Sequence, residues 1–298
     1  MPWKCLLGPL DRLPAGLSLE DWYAELLSAA GTTSSLQLAV HGGRVAATPG
    51  LAFLAGYQAA LRALWPAAPM SLGALCVTEN KSVRPADMQT RIDGLLLHGR
   101  KDFVTAGDSA AWWLVAARDE PAGQPPHLTL AVLLAGTPNA RLETLPALPL
   151  MPDIPHARLL LEGAHCERLP GDGWDAYCKP FRTLEDLHVL AALSAWLYGV
   201  GLDSGWLRSL SLRLIGLLAG CAEASRQPAS SPATHVLLAG LFAQFEAFST
   251  DLDAAFAQGP AEWAALWKRD RGVLKIAGSA RAKRLERALG ELGIDLGK

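Results

Sequence analysis

The chain has little charge imbalance, few cysteines and no long apolar run. A formal net charge of −2 over 298 residues gives no reason to expect nucleic acid or an anionic membrane as partner. The five cysteines, Cys5, Cys76, Cys166, Cys178 and Cys221, are odd in number and scattered. None forms a C-x-x-C pair, and no close histidine gives metal-ligand spacing, so free thiols in a reducing compartment are expected and no metal. No window reaches the roughly 18 uninterrupted apolar residues of a membrane span. The opening MPWKCLLGPLDRLP lacks the apolar stretch of a signal peptide, so a cytoplasmic protein is expected. Also missing are a phosphate loop of the G-x-x-x-x-G-K-[ST] type, a G-x-S-x-G elbow and any internal repeat; Gly199 to Gly205 lacks the spacing of a dinucleotide loop.

What is present is an apolar composition, with 50% hydrophobic and 19% charged residues and ten tryptophans, in a chain long enough for several modest domains. Ser18, three residues before Asp21, predicts a capped helix over 18–30. Helical runs follow over about 35–47 and 51–65, where Phe53, Tyr57, Leu61 and Leu64 share a face. From Leu72 the period changes. Asp93-Gly94 between short apolar runs predicts a two-residue hairpin with both turn positions at positive φ. Strands are predicted over 112–117 and 128–134, with Pro121 to Pro126 as the loop between, and a last strand over 157–161. Helical periodicity returns over 182–224, with a break near Gly199 to Gly205. A Pro/Ser-rich loop covers 225–234, residues 235–258 read as the longest clean helix, and two shorter helices follow. The aromatic stripe Phe242, Phe245, Phe248 and Phe256 reads as bundle core. The basic cluster Arg281, Lys283, Arg284 and Arg287 reads as a solvated helix face. His41, His98 and His188 read as core or surface residues.

The implied fold class is α+β: an N-terminal helical domain (1–70), a small central β-barrel-like domain (71–170) and a C-terminal helical bundle (171–298). Several strings fall in that order. CVTE at 76–79 and GRKDFVT at 99–105 resemble the paired flavin-contacting segments of the acyl-CoA dehydrogenase family. Leu36 to Gly43 resembles the family's helix that ends near the active site, residues 110–118 its next strand, and Arg269 to Ile276 the segment before its catalytic loop. The resemblance covers about residues 18–290 and is strongest over 71–118.

That resemblance implies FAD as cofactor, held through Thr78 and Thr105 with Cys76 and Val77 alongside, and covered by Phe103 where the family commonly has tryptophan. It implies an acyl-CoA thioester as substrate, oxidised across its CH–CH bond, in a homo-oligomer or in a mixed oligomer with a related dehydrogenase subunit. Such chemistry needs a carboxylate base. The family's glutamate after the Arg-Asp string is absent, since that loop reads Ile276-Ala-Gly-Ser-Ala280. Other members carry the base on the first helix after the β domain, where Glu185 stands. The glycine-rich turn is replaced by Asn80 to Asp87, of which Ser82 stays as a substrate contact. The strings that hold the adenine half of FAD are missing. Read from the residues alone, both threonines also suit ordinary strands, and Glu185 also suits a helix's first turn. Two functions therefore stand: an acyl-CoA dehydrogenase-like flavoprotein, or an inactive member serving as partner subunit.

Overall fold

Small polar side chains start the first helices. The structure, a computed structural model, describes residues 3–31, 33–120 and 127–297. After a short α1 (Trp3–Leu7), α2 (Leu19–Ala30) begins where Ser18 accepts the Asp21 backbone N–H at 3.1 Å. A capping box of Ser34 and Gln37 starts α3 (Ser35–Val45), and Thr48 caps α4 (Pro49–Leu64) by accepting the Leu51 N–H.

Eight strands follow: β1 (Gly73–Cys76), β2 (Arg91–Asp93), β3 (Leu96–Thr105), β4 (Trp112–Asp119), β5 (His127–Leu134), β6 (Ala140–Thr144), β7 (His156–His165) and β8 (Glu167–Arg168). They form one curled sheet ordered β6-β7-β3-β2-β4-β5-β8, with β1 pairing parallel to β4. Both faces of this sheet are covered, which explains the unbroken apolar run of β4. Trp112, Leu114 and Ala116 pack into the main core with the helices, while Trp113, Val115 and Ala117 fill the inside of the curl with Val104, Leu133 and Leu159.

The C-terminal helices are α5 (Lys179–Asp203), α6 (Arg208–Ala224), α7 (Pro232–Ala247), α8 (Ser249–Gln258), α9 (Ala261–Asp270) and α10 (Gly278–Leu292). Helix α5 crosses α3 and α4 at backbone contact. A Cβ added to Gly43 would stand 2.0 Å from the Ala192 carbonyl oxygen, and one on Gly56 2.8 Å from that of His188. A backbone carbonyl has little room to give, so Gly43→Ala is expected to destabilise the protein by at least about 1–3 kcal/mol, seen as a melting temperature lowered by several degrees. An unchanged melting temperature would show that α3 and α5 can slide apart freely.

The α+β order of helices, sheet and helices is as expected, and several details differ. The hairpin pairs Asp93 with Leu96, so its loop residues are Gly94 and Leu95, and of these Gly94 takes a positive φ, +57°. This is the pattern of a turn with glycine at its first central position. The run 235–258 is two helices broken at Phe248. Phe245, Phe248, Leu252 and Phe256 are all buried on both sides of the break, so the apolar period runs through it unmarked. The longest helix is α5, with 25 residues; Gly199 and Gly201 lie inside it, and the break comes at Ser204 to Leu207. Strand β6 was missed because edge residues such as Arg141 and Glu143 carry no apolar alternation, and β8 because two residues carry no period at all. The Pro121–Pro126 loop lies outside the described residues. Among the described residues no helix is long and apolar enough to cross a membrane.

Candidate functional site

The chain just after β1 lies against the end of β3. The Asp102 N–H donates to the Thr78 carbonyl at 2.9 Å, and the Asn80 N–H donates to the Asp102 carboxylate. Beneath them Lys101, 0% exposed, pairs with Glu79, 5% exposed. Glu79 also accepts the N–H groups of Gln89 and Thr90, at 2.6 and 3.2 Å. Burial pushes the Glu79 carboxyl up, but Lys101 and these donors hold it below the ordinary glutamate value. The turn that follows closes by backbone bonds between Glu79 and Ser82, with Asn80 and Lys81 at φ +49° and +63°. The glycines expected there are gone, yet the left-handed backbone that favours glycine is kept.

Strand alternation decides which side chains leave this seam. Leu75 and Val77 face outward, as do Phe103 and Thr105, whereas Cys76 and Val104 point into the curl and are fully buried. Helix α5 supplies Phe181, Arg182 and Glu185 opposite, and α4 supplies Tyr57. Together with Thr78 and Cys178 they enclose a cavity of about 200 Å³.

Glu185 is half-buried at the wall of this cavity. Burial first, then the adjacent charge of Asp186, pushes its carboxyl up to about 7, against the opposing pull of Arg182 and Arg284. Such a carboxyl is poised to accept a proton near neutral pH. The Cys178 thiol is pushed up to about 12, mainly by burial, and so stays protonated. Phe103 keeps 41% of its surface exposed and meets His156 edge-on, with ring centres 5.8 Å apart.

Of the residues singled out in the sequence, Val77, Thr78, Phe103, Thr105 and Glu185 line one cavity. Cys76 does not: its thiol sits inside the sheet and is pushed up to about 12 by burial. Ser82 lies elsewhere too, in the surface turn, where its hydroxyl donates to Asp87 and accepts the Arg84 N–H. The basic cluster on α10 is not simply a solvated face. Arg281 and Arg284 both donate to the Asp186 carboxylate on α5, and Arg281 also stacks over Phe242 at 3.8 Å. His188 is a satisfied core residue: its ring nitrogens meet the Leu184 carbonyl at 2.7 Å and the Ser35 hydroxyl at 3.0 Å, and burial pushes it down to about 4. All five cysteines are free, and no metal-binding cluster occurs among the described residues.

Sequence reasoning missed Tyr57, Cys178, Arg182 and Asp186. Tyr57 was hidden in an apolar stripe, where its hydroxyl was the one available signal.

No family model matches this chain, and no curated protein matches it either. Solved structures do. FkbI, for biosynthesis of the methoxymalonyl extender unit of the polyketide Fk520, superposes with a TM-score of 0.65 at 17% identity, covering 94% of each chain. PigA with FAD and proline gives 0.64 at 16% identity, covering 94% of this chain and 91% of PigA. Butyryl-CoA dehydrogenase from Megasphaera elsdenii gives 0.63 at 14%, covering 92% and 86%. The fold is that of the acyl-CoA dehydrogenases.

Proposed function

We propose that this chain is a flavoprotein that holds the ring system of FAD against the Thr78–Thr105 wall and oxidises the CH–CH bond of an acyl-CoA thioester, with Glu185 as base. The observation that carries the reading is the meeting, in one cavity, of the two threonines, Phe103 and a carboxyl pushed up to about 7.

The residues present fit the flavin head. The walls of the cavity, about 200 Å³, offer two hydroxyls, the apolar faces of Leu75 and Val77, and an aromatic cover. FAD bound there would supply the acceptor for the hydride leaving the β-carbon. Thr78 and Thr105 would hold the polar edge of the ring, and Phe103 would screen it from water. Glu185 would take the α-proton onto its carboxylate oxygen. That PigA, which shares the fold, binds FAD supports a flavin as the cofactor. The adenine half would rest on a second chain, which makes an oligomer part of the proposal.

Purified protein mixed with FAD and then desalted is expected to keep a yellow flavin spectrum that bleaches on adding an acyl-CoA. Colourless protein would end the reading. A second reading, an inactive partner subunit of a related dehydrogenase, draws on the loop at 276–280, where Gly278 opens α10 and no carboxylate is available. Yellow protein that no thioester bleaches, running together with a dehydrogenase subunit, would favour it.

A further inference from the structure

A second cavity, of about 620 Å³, opens beside the first, between the starts of α5 and α7 and one face of α10. Arg182 lines both cavities, so the two share a wall. Along α10, Ala280, Arg284, Arg287 and Glu291 recur at steps of three and four and turn one side of the helix to this cleft. Its charge is lopsided. Lys179 and Arg284 are already used, the first paired with Asp175 at 2.5 Å and the second bonded to Asp186. Arg182, Lys283 and Arg287 form no ion pair among the described residues, and besides Asp175 the carboxylate lining the cleft is Glu291. Arg182 is held over the Trp174 ring at 4.9 Å, a contact that orients its fork without using its N–H donors.

The cations also act on one another. Burial holds the Arg182 guanidinium below its ordinary value, and Arg284 pushes the same way. Burial likewise lowers His235 on α7, and the charges of Arg284 and Arg287 add to it. Helix α7 contributes the same sign. Ser230 and Pro232 bring its N-terminal end to the cleft, and no side chain caps the backbone N–H groups there. Positive groups gathered in a cleft repel until an anion joins them. Arginine forks, a lysine and an uncapped helix start are together the chemistry that recognises phosphate. We propose that this cleft is a phosphate site, made for a diphosphate ester whose reactive end lies next door, beside Glu185. The inference rests on the flavoprotein reading, in which two molecules carry a diphosphate, the acyl-CoA and FAD.

Calorimetry on the full-length protein tests the site with inorganic diphosphate, CoA, FAD and pantetheine, the last being the thiol arm of CoA without its phosphates. Diphosphate is expected to bind the wild type and to compete with the phosphate ester that uses the cleft; pantetheine should bind far more weakly. The double variant Lys283→Ala, Arg287→Ala loses only exposed side chains, so its fold should hold. Its affinity for diphosphate should fall at least about tenfold, the size of one lost hydrogen bond to a charged group. Lys283→Arg, Arg287→Lys keeps both charges and should keep most of the affinity. Arg208→Ala, which removes an exposed charge from α6 outside the cleft, should change nothing. A matching loss for CoA and not for FAD makes the substrate the source of the phosphate; the reverse makes it the cofactor. Diphosphate, CoA and FAD that bind the double variant as they bind the wild type overturn the proposal. So does an equal loss in Arg208→Ala, which would mean general charge attraction only. Phosphate binding as expected, in a protein that no acyl-CoA bleaches, leaves the site standing and removes the dehydrogenase reading instead.

Discussion

Glu185→Gln is expected to do two opposite things at pH 8: raise the melting temperature and slow thioester-dependent bleaching of the flavin by a factor of about 10² to 10⁴. Both effects come from one displaced carboxyl. Glu185 carries a folded-state value of about 7 against an ordinary 4.5, with burial the main cause and Asp186 the second. At pH below about 4.5 the side chain is protonated whether the chain is folded or not, and its protonation costs nothing. Between 4.5 and 7 the unfolded chain gives up the proton while the folded chain keeps it, so stability falls as pH rises. Above about 7 the folded protein carries the full penalty, on the order of 3 kcal/mol for a shift of this size. Glutamine cannot ionise and escapes that penalty, so the gain should be present at pH 8 and absent at pH 4.

Activity runs the other way. A base must be ionised to take the α-proton, so the wild-type rate should climb as pH rises through about 7 and level off above it. Thermal unfolding at both pH values, together with stopped-flow bleaching across pH 5 to 9, checks the set. If the variant is no more stable at pH 8, Glu185 does not carry the raised value argued for it. If the variant bleaches as fast as the wild type, the base lies elsewhere. The stability arm stands even without bound flavin, because the penalty belongs to the chain alone.

The contrast between Cys76 and Val77 shows how far the sequence could be read and where it stopped. The strings at 76–79 and 101–105 were legible because their order is kept, and the Asp102–Thr78 hydrogen bond places them side by side. Strand alternation within them was equally legible: of two consecutive residues on a strand only one can face a cavity, and here it is Val77. Glu185 could be found by counting along the first helix after the sheet. Its displaced carboxyl could not be, since that depends first on burial by the packed fold and then on the charges of Asp186, Arg182 and Arg284, of which the last lies about a hundred residues away. The same distance hid the true partners of Arg281 and Arg284: a basic helix face looks solvated until another helix brings a carboxylate to it. Tyr57 was invisible for a third reason. At helical spacing its ring behaves like Phe53 and Leu61, and only the fold shows that its hydroxyl reaches the backbone of β1.

The seam that makes the site should fail if Lys101 loses its charge. Lys101→Met is expected to destabilise the protein by about 3–5 kcal/mol, a fall in melting temperature on the order of 10 °C, and to cost it FAD retention. Both ends of the Glu79–Lys101 pair are buried, so removing one leaves the other charged with no water to solvate it. The loss would fall at the point where β3 and the chain after β1 meet, because Glu79 also fixes the backbone at Gln89 and Thr90. The double variant Lys101→Met, Glu79→Gln removes both charges and should recover much of the stability; the difference between the double change and the sum of the single ones measures the coupling. Acid gives an independent handle. Glu79 is held below its ordinary 4.5, so it adds stability at pH above that value and loses it as pH falls through the lower folded-state value. That acid-sensitive share should vanish in Lys101→Met. A single variant that unfolds within about 1 kcal/mol of the wild type and still holds flavin would mean that backbone pairing alone keeps Thr78 beside Thr105, and that the ion pair is a passenger.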